Sequence, residues 1–242
     1  LLSRREQLIR NLVRSRQPVL TPLCVLVADL QDSVKICAEL PPEEYFELIN
    51  QIWKIAESLL RKYHATQGKH VGDGMVTYFF PQPDRSYLLN GFQSAREMKQ
   101  RMRELSKEWQ LRKNWTNELY LNIGLNEGEE WFGTYHSDTN LEFTVLGDTI
   151  NHAARLSDFA RFGSIWATKN LMGKLSAEER EKIGFGIRRT NLEGQEIQIP
   201  ASYSRLANLI DLDEGKYEKF RDIATLPFTE IWDLKTEPES GN

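Results

Sequence analysis

Apolar residues recur along the chain in two rhythms, one near every third or fourth position and one alternating or continuous over short runs, and the switches between them mark the elements. Leu2, Leu8, Ile9, Leu12 and Val13 fall on one face of a short amphipathic helix that Pro18 and Pro22 close. The run LCVLVAD, residues 23–29, is continuously apolar up to its Asp and predicts a central strand buried on both faces. Pro41 and Pro42 then open a helix with Glu43 and Glu44 in its first turn and Arg61 and Lys62 in its last, as the helix dipole favours. Its core-facing stripe reads as Phe46, Ile49, Trp53, Ala56 and Leu60.

Residues 69–80 predict strand, turn and strand, with Asp73-Gly74 as the turn and Met75, Thr77 and Phe79 facing away from Val76, Tyr78 and Phe80. A second long helix follows over about 85–113. Strands are predicted at 119–125 and 129–135, joined through Asn126-Glu127-Gly128, and at 141–147. After Gly147 comes a helix with Asp148 as its cap and Ile150, Ala153, Ala154 and Leu156 turned inward. The remainder alternates short strands and helices until about Leu212, where charge, Pro, Glu and Gly predict a loosely packed or fraying end. This order argues for an α+β sandwich of helices against one sheet. We divide the chain into a connector helix (1–20), a main domain (21–210) and a C-terminal extension (211–242).

Composition narrows the function. A chain of 242 residues buries a sizeable core without disulfides or structural metals. A net charge of −4 gives no electrostatic footprint for nucleic acid or an anionic membrane surface. Cys24 and Cys37 form no metal spacing or disulfide framework, which fits a reducing, cytoplasmic setting. No apolar run approaches the ~20 residues a bilayer span needs, and no signal-peptide core is present. The first residue is not Met, which points to a piece of a longer protein with the leading helix as its connector, or else to a processed N-terminus. Arg96, Lys99, Arg101, Arg103 and Lys107, with no stacking pattern beside them, read as the solvated face of the second long helix.

Candidate chemistry begins with Asp29, at a strand end, and Asp73, at a hairpin tip. Either alone is ordinarily a backbone cap. Brought together at one sheet edge, they would bind Mg²⁺ or Mn²⁺, hard ions that suit sites shared with phosphates. Asn151 and Arg155 stand four apart on one helical face, where they form either a surface hydrogen-bond pair or a joint grip on one ligand. His64, His70, His136 and His152 show no pairing with Ser or Cys and read as structural or exposed.

Four segments, VADLQDS, KHVGDGMVTYF, IGLNEGEEWFG and FTVLGDTINHAARL, occur in the order and at the separations of the class III nucleotidyl cyclases, which the chain resembles over about residues 22–208. It is most similar to the bacterial homodimeric adenylyl cyclases. The resemblance implies a ferredoxin-like, hairpin-containing sandwich with a mostly antiparallel sheet. It implies two divalent metals per site, Mg²⁺ or Mn²⁺, on Asp29 and Asp73 with the Leu30 carbonyl. Backbone N–H groups of Leu30, Gln31, Asp32, Ser33 and Val34 correspond to the triphosphate cradle. Lys69 and Thr144 fall on the base-reading positions. Lysine is donor-only and suits N1 of adenine, whereas the guanylyl enzymes typically carry Glu there. Asn151 corresponds to the ribose-orienting amide and Arg155 to the cation at the α-phosphate.

The implied reaction is conversion of ATP to 3′,5′-cyclic AMP and pyrophosphate, in a homodimer whose sites are shared between subunits, under an upstream sensor or regulatory domain. A guanylyl or dual cyclase and a catalytically silent nucleotide-binding dimerisation module are the alternatives. Three positions depart from the family pattern: Val34 stands where Thr is frequent, Asp32 where Gly is common and His152 where a small apolar residue is usual. The basic residue that grips the outer phosphates has three candidates, Lys182, Arg188 and Arg189.

Overall fold

The computed structural model describes residues 4–15, 17–71, 73–136, 141–210 and 214–234. In chain order the helices are α1 (Arg4–Ser15), α2 (Ser33–Glu39), α3 (Pro42–Lys62), α4 (Tyr87–Lys113), α5 (Asp148–Phe159), α6 (Lys169–Lys174) and α7 (Ala177–Glu181). The strands are β1 (Val19–Leu30), β2 (Thr66–Val71), β3 (Gly74–Phe79), β4 (Leu121–His136), β5 (Leu141–Leu146) and β6 (Ile165–Thr168). They continue with β7 (Ile183–Thr190), β8 (Glu196–Pro200), β9 (Ser204–Arg205) and β10 (Pro227–Leu234). Among the described residues they form one sheet of order β2-β3-β1-β4-β6-β10-β7-β8, with β5 on β4 and β9 on β10. Its strand pairs are antiparallel except β4 with β6. The fold is therefore α+β, as expected.

Alternation along β1 divides the core. Cys24, Leu26, Ala28 and Leu30 face α3 and α4, while Leu23, Val25 and Val27 face the side covered by Leu12 of α1 and Ala153 of α5. Burial on both faces is what its unbroken apolar run predicted. The leading helix docks on its own domain, with Leu8 and Leu12 packed against the sheet and the Arg5 Nε donating to Thr66 at 3.0 Å.

Four expectations are corrected. Residues 119–125 and 129–135 are not two strands: Asn126, Glu127 and Gly128 lie inside the single strand β4. Turn-forming residue types suggested a loop, but here tertiary partners satisfy them. Asn126 donates to the Thr149 carbonyl (3.1 Å) and accepts from the Thr168 hydroxyl (2.7 Å), and the Glu127 carboxylate accepts from the Tyr87 hydroxyl at 3.1 Å. The end of the chain does not fray over 227–234, because β10 is an inner strand between β6 and β7. Phe228 and Ile231 of that strand, with Phe220 and Ile223 before it, are buried. At about 1.5–3 kcal/mol per large apolar side chain, that burial outweighs the charge around them. The buried stripe of α3 runs through Leu48, Ile52, Ala56, Leu59 and Leu60, leaving Phe46 67% exposed. On α5, Ala154 is exposed, and Thr149 and Ser157 are buried instead.

Candidate active site

The β2–β3 hairpin and the end of β1 bring the two carboxylates together. Ala28 pairs with Met75, so the next residue, Asp29, stands beside the Asp73-Gly74 turn. Burial first, then the neighbouring charges of Asp73 and Asp158, push the Asp29 carboxyl up to about 6, while Lys219 pulls it down. Asp73 presents Oδ2 buried and without a hydrogen-bond partner among the described residues. Two carboxylates side by side repel each other unless a proton or a cation enters, and hard oxygen donors suit Mg²⁺ or Mn²⁺. Among the described residues no group of three or more His, Cys, Asp or Glu that could hold a metal ion forms.

Past Asp29 the chain turns through Asp32, whose φ of 56° lies in the left-handed region, and enters α2. Asp32 makes no side-chain cap to that helix. This corner lines a cleft of ≈ 610 Å³ with Asp29, Leu30, Gln31, Asp32, Ser33 and Val34 on one wall. Asn122, Ser157, Asp158, Arg161 and Lys219 form much of the rest. The Gln31 N–H donates to the Tyr120 carbonyl at 2.9 Å, so it is occupied rather than presented to a ligand. The Gln31 side chain accepts from the Phe162 N–H (2.8 Å) and from Asn122 (3.3 Å), tying this corner to the turn after α5.

Helix α5 lies close over β4 because Gly124 and Gly128 have no side chain. A Cβ on Gly124 would collide with the Ala153 carbonyl, and one on Gly128 with the Thr149 hydroxyl. Gly147, at φ 151° and ψ −177°, occupies backbone space almost closed to other residues. It precedes α5 as the cap position, so Asp148 is the first helical residue and not the cap. Glu130 serves instead, accepting from the Thr149 N–H (2.9 Å) and hydroxyl (2.6 Å).

Asn151, Arg155 and Thr144 do not line this cleft. Asn151 is exposed on α5. Arg155 turns its Nε to Asp222 at 3.0 Å, with Asp158 3.9 Å from its Nη1. Thr144 pairs with Gly133, whereas Asp29 pairs with Asn122. From Asn122 to Gly133 is on the order of 35 Å of extended strand. Lys69 lies on β2 where its register against β3 shifts between Gln67 and His70, and its side chain is outside the described residues.

Residues 17–198 match the adenylate and guanylate cyclase catalytic domain family. The chain belongs to that family. It is a class III nucleotidyl cyclase domain, adenylyl or guanylyl. A curated protein of Mycobacterium tuberculosis is 26% identical over 201 residues, covering 80% of this chain and 34% of its own length. The chain thus spans about a third of the curated relatives it matches. Among solved structures, the adenylyl cyclase CyaB from P. aeruginosa superposes with a TM-score of 0.68 at 18% identity, covering 93% of this chain and 100% of that one. The guanylyl cyclase Cya2 superposes equally, with a TM-score of 0.68 at 18% identity over 93% and 98% of the two chains. These likenesses extend the cyclase fold beyond the matched span without choosing a base.

None of the three candidates for an outer-phosphate contact lines the cleft. Arg188 is held on β7 by the buried Glu230 (2.8 Å) and by Glu196 (3.2 Å). The cations that do line it are Lys35, Arg161 and Lys219. No sequence motif marks the last two. Arg161 follows α5 in a turn, and Lys219 arrives from a distant segment that charge had marked as loose.

Proposed function

We propose that this cyclase domain is an adenylyl cyclase, converting ATP to 3′,5′-cyclic AMP and pyrophosphate as a homodimer with two sites shared between subunits. The observation that carries the reading is the Asp29–Asp73 pair beside the cleft, while Thr144, Asn151 and Arg155 of the same chain do not line it. A site that needs both sets draws them from two chains, and two-fold symmetry then makes two equivalent sites. Leu20, Trp131 and Leu146 support pairing of copies. They are cross-strand neighbours on the face that carries Thr144, and are 47%, 49% and 57% exposed. An apolar surface of this kind suits an interface between copies.

Asp29, Asp73 and the Leu30 carbonyl would hold two divalent ions, Mg²⁺ or Mn²⁺, which when bound lower the pKa of the ribose 3′-hydroxyl and neutralise the leaving group. The 30–34 corner receives the triphosphate, with Ser33 and Val34 in the first turn of α2. Asn151 of the partner copy orients the ribose so that its 3′-oxygen lies in line with the α-phosphorus. The new bond joins that oxygen to phosphorus, the bond from phosphorus to the pyrophosphate oxygen breaks, and the hydroxyl proton leaves to water. Arg155 stabilises the charge that develops. Lys69 donates to N1 of adenine, and Thr144 completes the base contact.

Guanylyl activity is the second reading, favoured by Thr144, which both donates and accepts. A silent binding module fits less well, because it would not need both carboxylates together with Lys69, Asn151 and Arg155. An upstream sensor or regulatory domain in the full-length protein, and a cytoplasmic location, belong to the same proposal; among the described residues no helix is long and apolar enough to cross a membrane. The test is incubation of the purified protein with ATP or GTP and Mn²⁺ or Mg²⁺, the product being identified by mass. Cyclic AMP from ATP, in excess over cyclic GMP from GTP, is the expected result. No cyclic nucleotide from either substrate would overturn the proposal.

A further inference from the structure

Between β9 and β10 the chain leaves the sheet and returns to it, and part of this excursion is the 3₁₀ segment Gly215–Ile223. It lies outside the family-matched span. Phe220 and Ile223 anchor it, each 1% exposed, in a cluster with Leu156 of α5 and Phe228 of β10. The anchors fix two charged neighbours. Lys219 Nζ donates to Asp158 at 2.9 Å and lines the nucleotide cleft. Asp222 Oδ2 accepts from Arg155 Nε at 3.0 Å.

We propose that the 215–223 segment is a self-inhibitory strap, in which Asp222 holds Arg155 against its own chain and must release it before Arg155 can serve a nucleotide. The proposal rests on Arg155 being the cation at the α-phosphate. An arginine engaged by a carboxylate has part of its charge and its donor geometry already committed, so it stabilises a phosphoryl transition state only after that pair opens. Both partners are partly exposed, at 38% and 50%, so the pair is weak enough to open in each turnover and is screened by salt. Lys219 supplies the trigger. A triphosphate in the cleft offers Lys219 more negative charge than Asp158 does, and drawing Lys219 off Asp158 removes a polar tie of the strap to α5.

The test compares kcat of the full chain with that of Asp222→Ala and Asp222→Asn, at low and high ionic strength, with Arg155→Ala alone and combined with Asp222→Ala. Opening a half-exposed pair should raise kcat about two- to fivefold at ~0.05 M salt, with a smaller rise for Asp222→Asn and little change in nucleotide KM. The wild type should approach the Asp222→Ala value as salt rises toward ~0.5 M. Asp222 is a surface residue, so both variants should melt within a few degrees of the wild type. In the Arg155→Ala background, removing Asp222 should restore nothing. If Arg155→Ala is dead and both Asp222 variants are unchanged or slower, the strap is wrong while the site stands. If Arg155→Ala turns over like the wild type, the assignment beneath the strap is wrong.

Discussion

Asp73 stands next to Asp29 with its Oδ2 buried and unpartnered, and its charge is one cause of the elevated Asp29 pKa of about 6. Two carboxylates so placed bind a cation in competition with protons. Lowering the pH through 6 protonates Asp29 and, on the proposed metal assignment, removes a ligand. The apparent affinity for Mn²⁺ should therefore fall by up to tenfold per pH unit below about 6, and level off above it. Equilibrium metal titration across pH 5 to 8 checks this, and a flat profile would contradict the pairing.

The same pair makes the metal-free domain less stable at neutral pH. The folded-state pKa of Asp29 lies above its unfolded value, so the folded protein holds the proton more tightly. Stability therefore declines as pH rises from about 4 through 6, and the penalty is fully present at pH 7. Asp73→Asn removes the largest charge contribution. Discounted for partial exposure, its relief is about 1 kcal/mol, or ~2–4 °C in Tm for a domain of this size. The variant should melt higher than the wild type in chelator and lose cyclase activity. A lower melting temperature in chelator would mean that Asp73 makes a stabilising contact instead.

We propose that Lys69 and Thr144 set base choice. Lys69→Glu replaces a donor with an acceptor facing N1 of adenine and should cost about 1–3 kcal/mol in kcat/KM for ATP, roughly 5- to 150-fold. GTP use should rise relative to ATP. An unchanged ATP to GTP ratio of kcat/KM would show that the base is read by other residues.

The parts legible in the sequence are those whose chemistry is local. An apolar run ending in Asp29 and an Asp-Gly turn at Asp73 announced a strand end and a hairpin tip, and β1 and β3 bring them together. Gly124 and Gly128 stand within the segment IGLNEGEEWFG, and the close passage of α5 is what requires them. The rest depends on partners far along the chain. Asn126 and Glu127 look like turn residues unless Thr168 and Tyr87 are known to satisfy them. Glu130 caps α5 across a strand pair, which no local capping signature reports. Lys219 and Asp222 sit in a charged stretch whose order comes from burying Phe220 and Ile223, and their placement beside Asp158 and Arg155 has no local trace.

The shared site is tested most directly by mixing two dead variants. On the proposed assignment, Asp29→Ala removes a metal ligand and Arg155→Ala the transition-state cation, so each homodimer should be inactive. In a mixed dimer, one site carries both defects and the other carries neither. With free subunit exchange at equal concentrations, about half the dimers are mixed, so activity should return to roughly a quarter of the wild type. A mixture that stays dead despite demonstrated exchange, or either single variant active alone, would contradict sites shared between two chains.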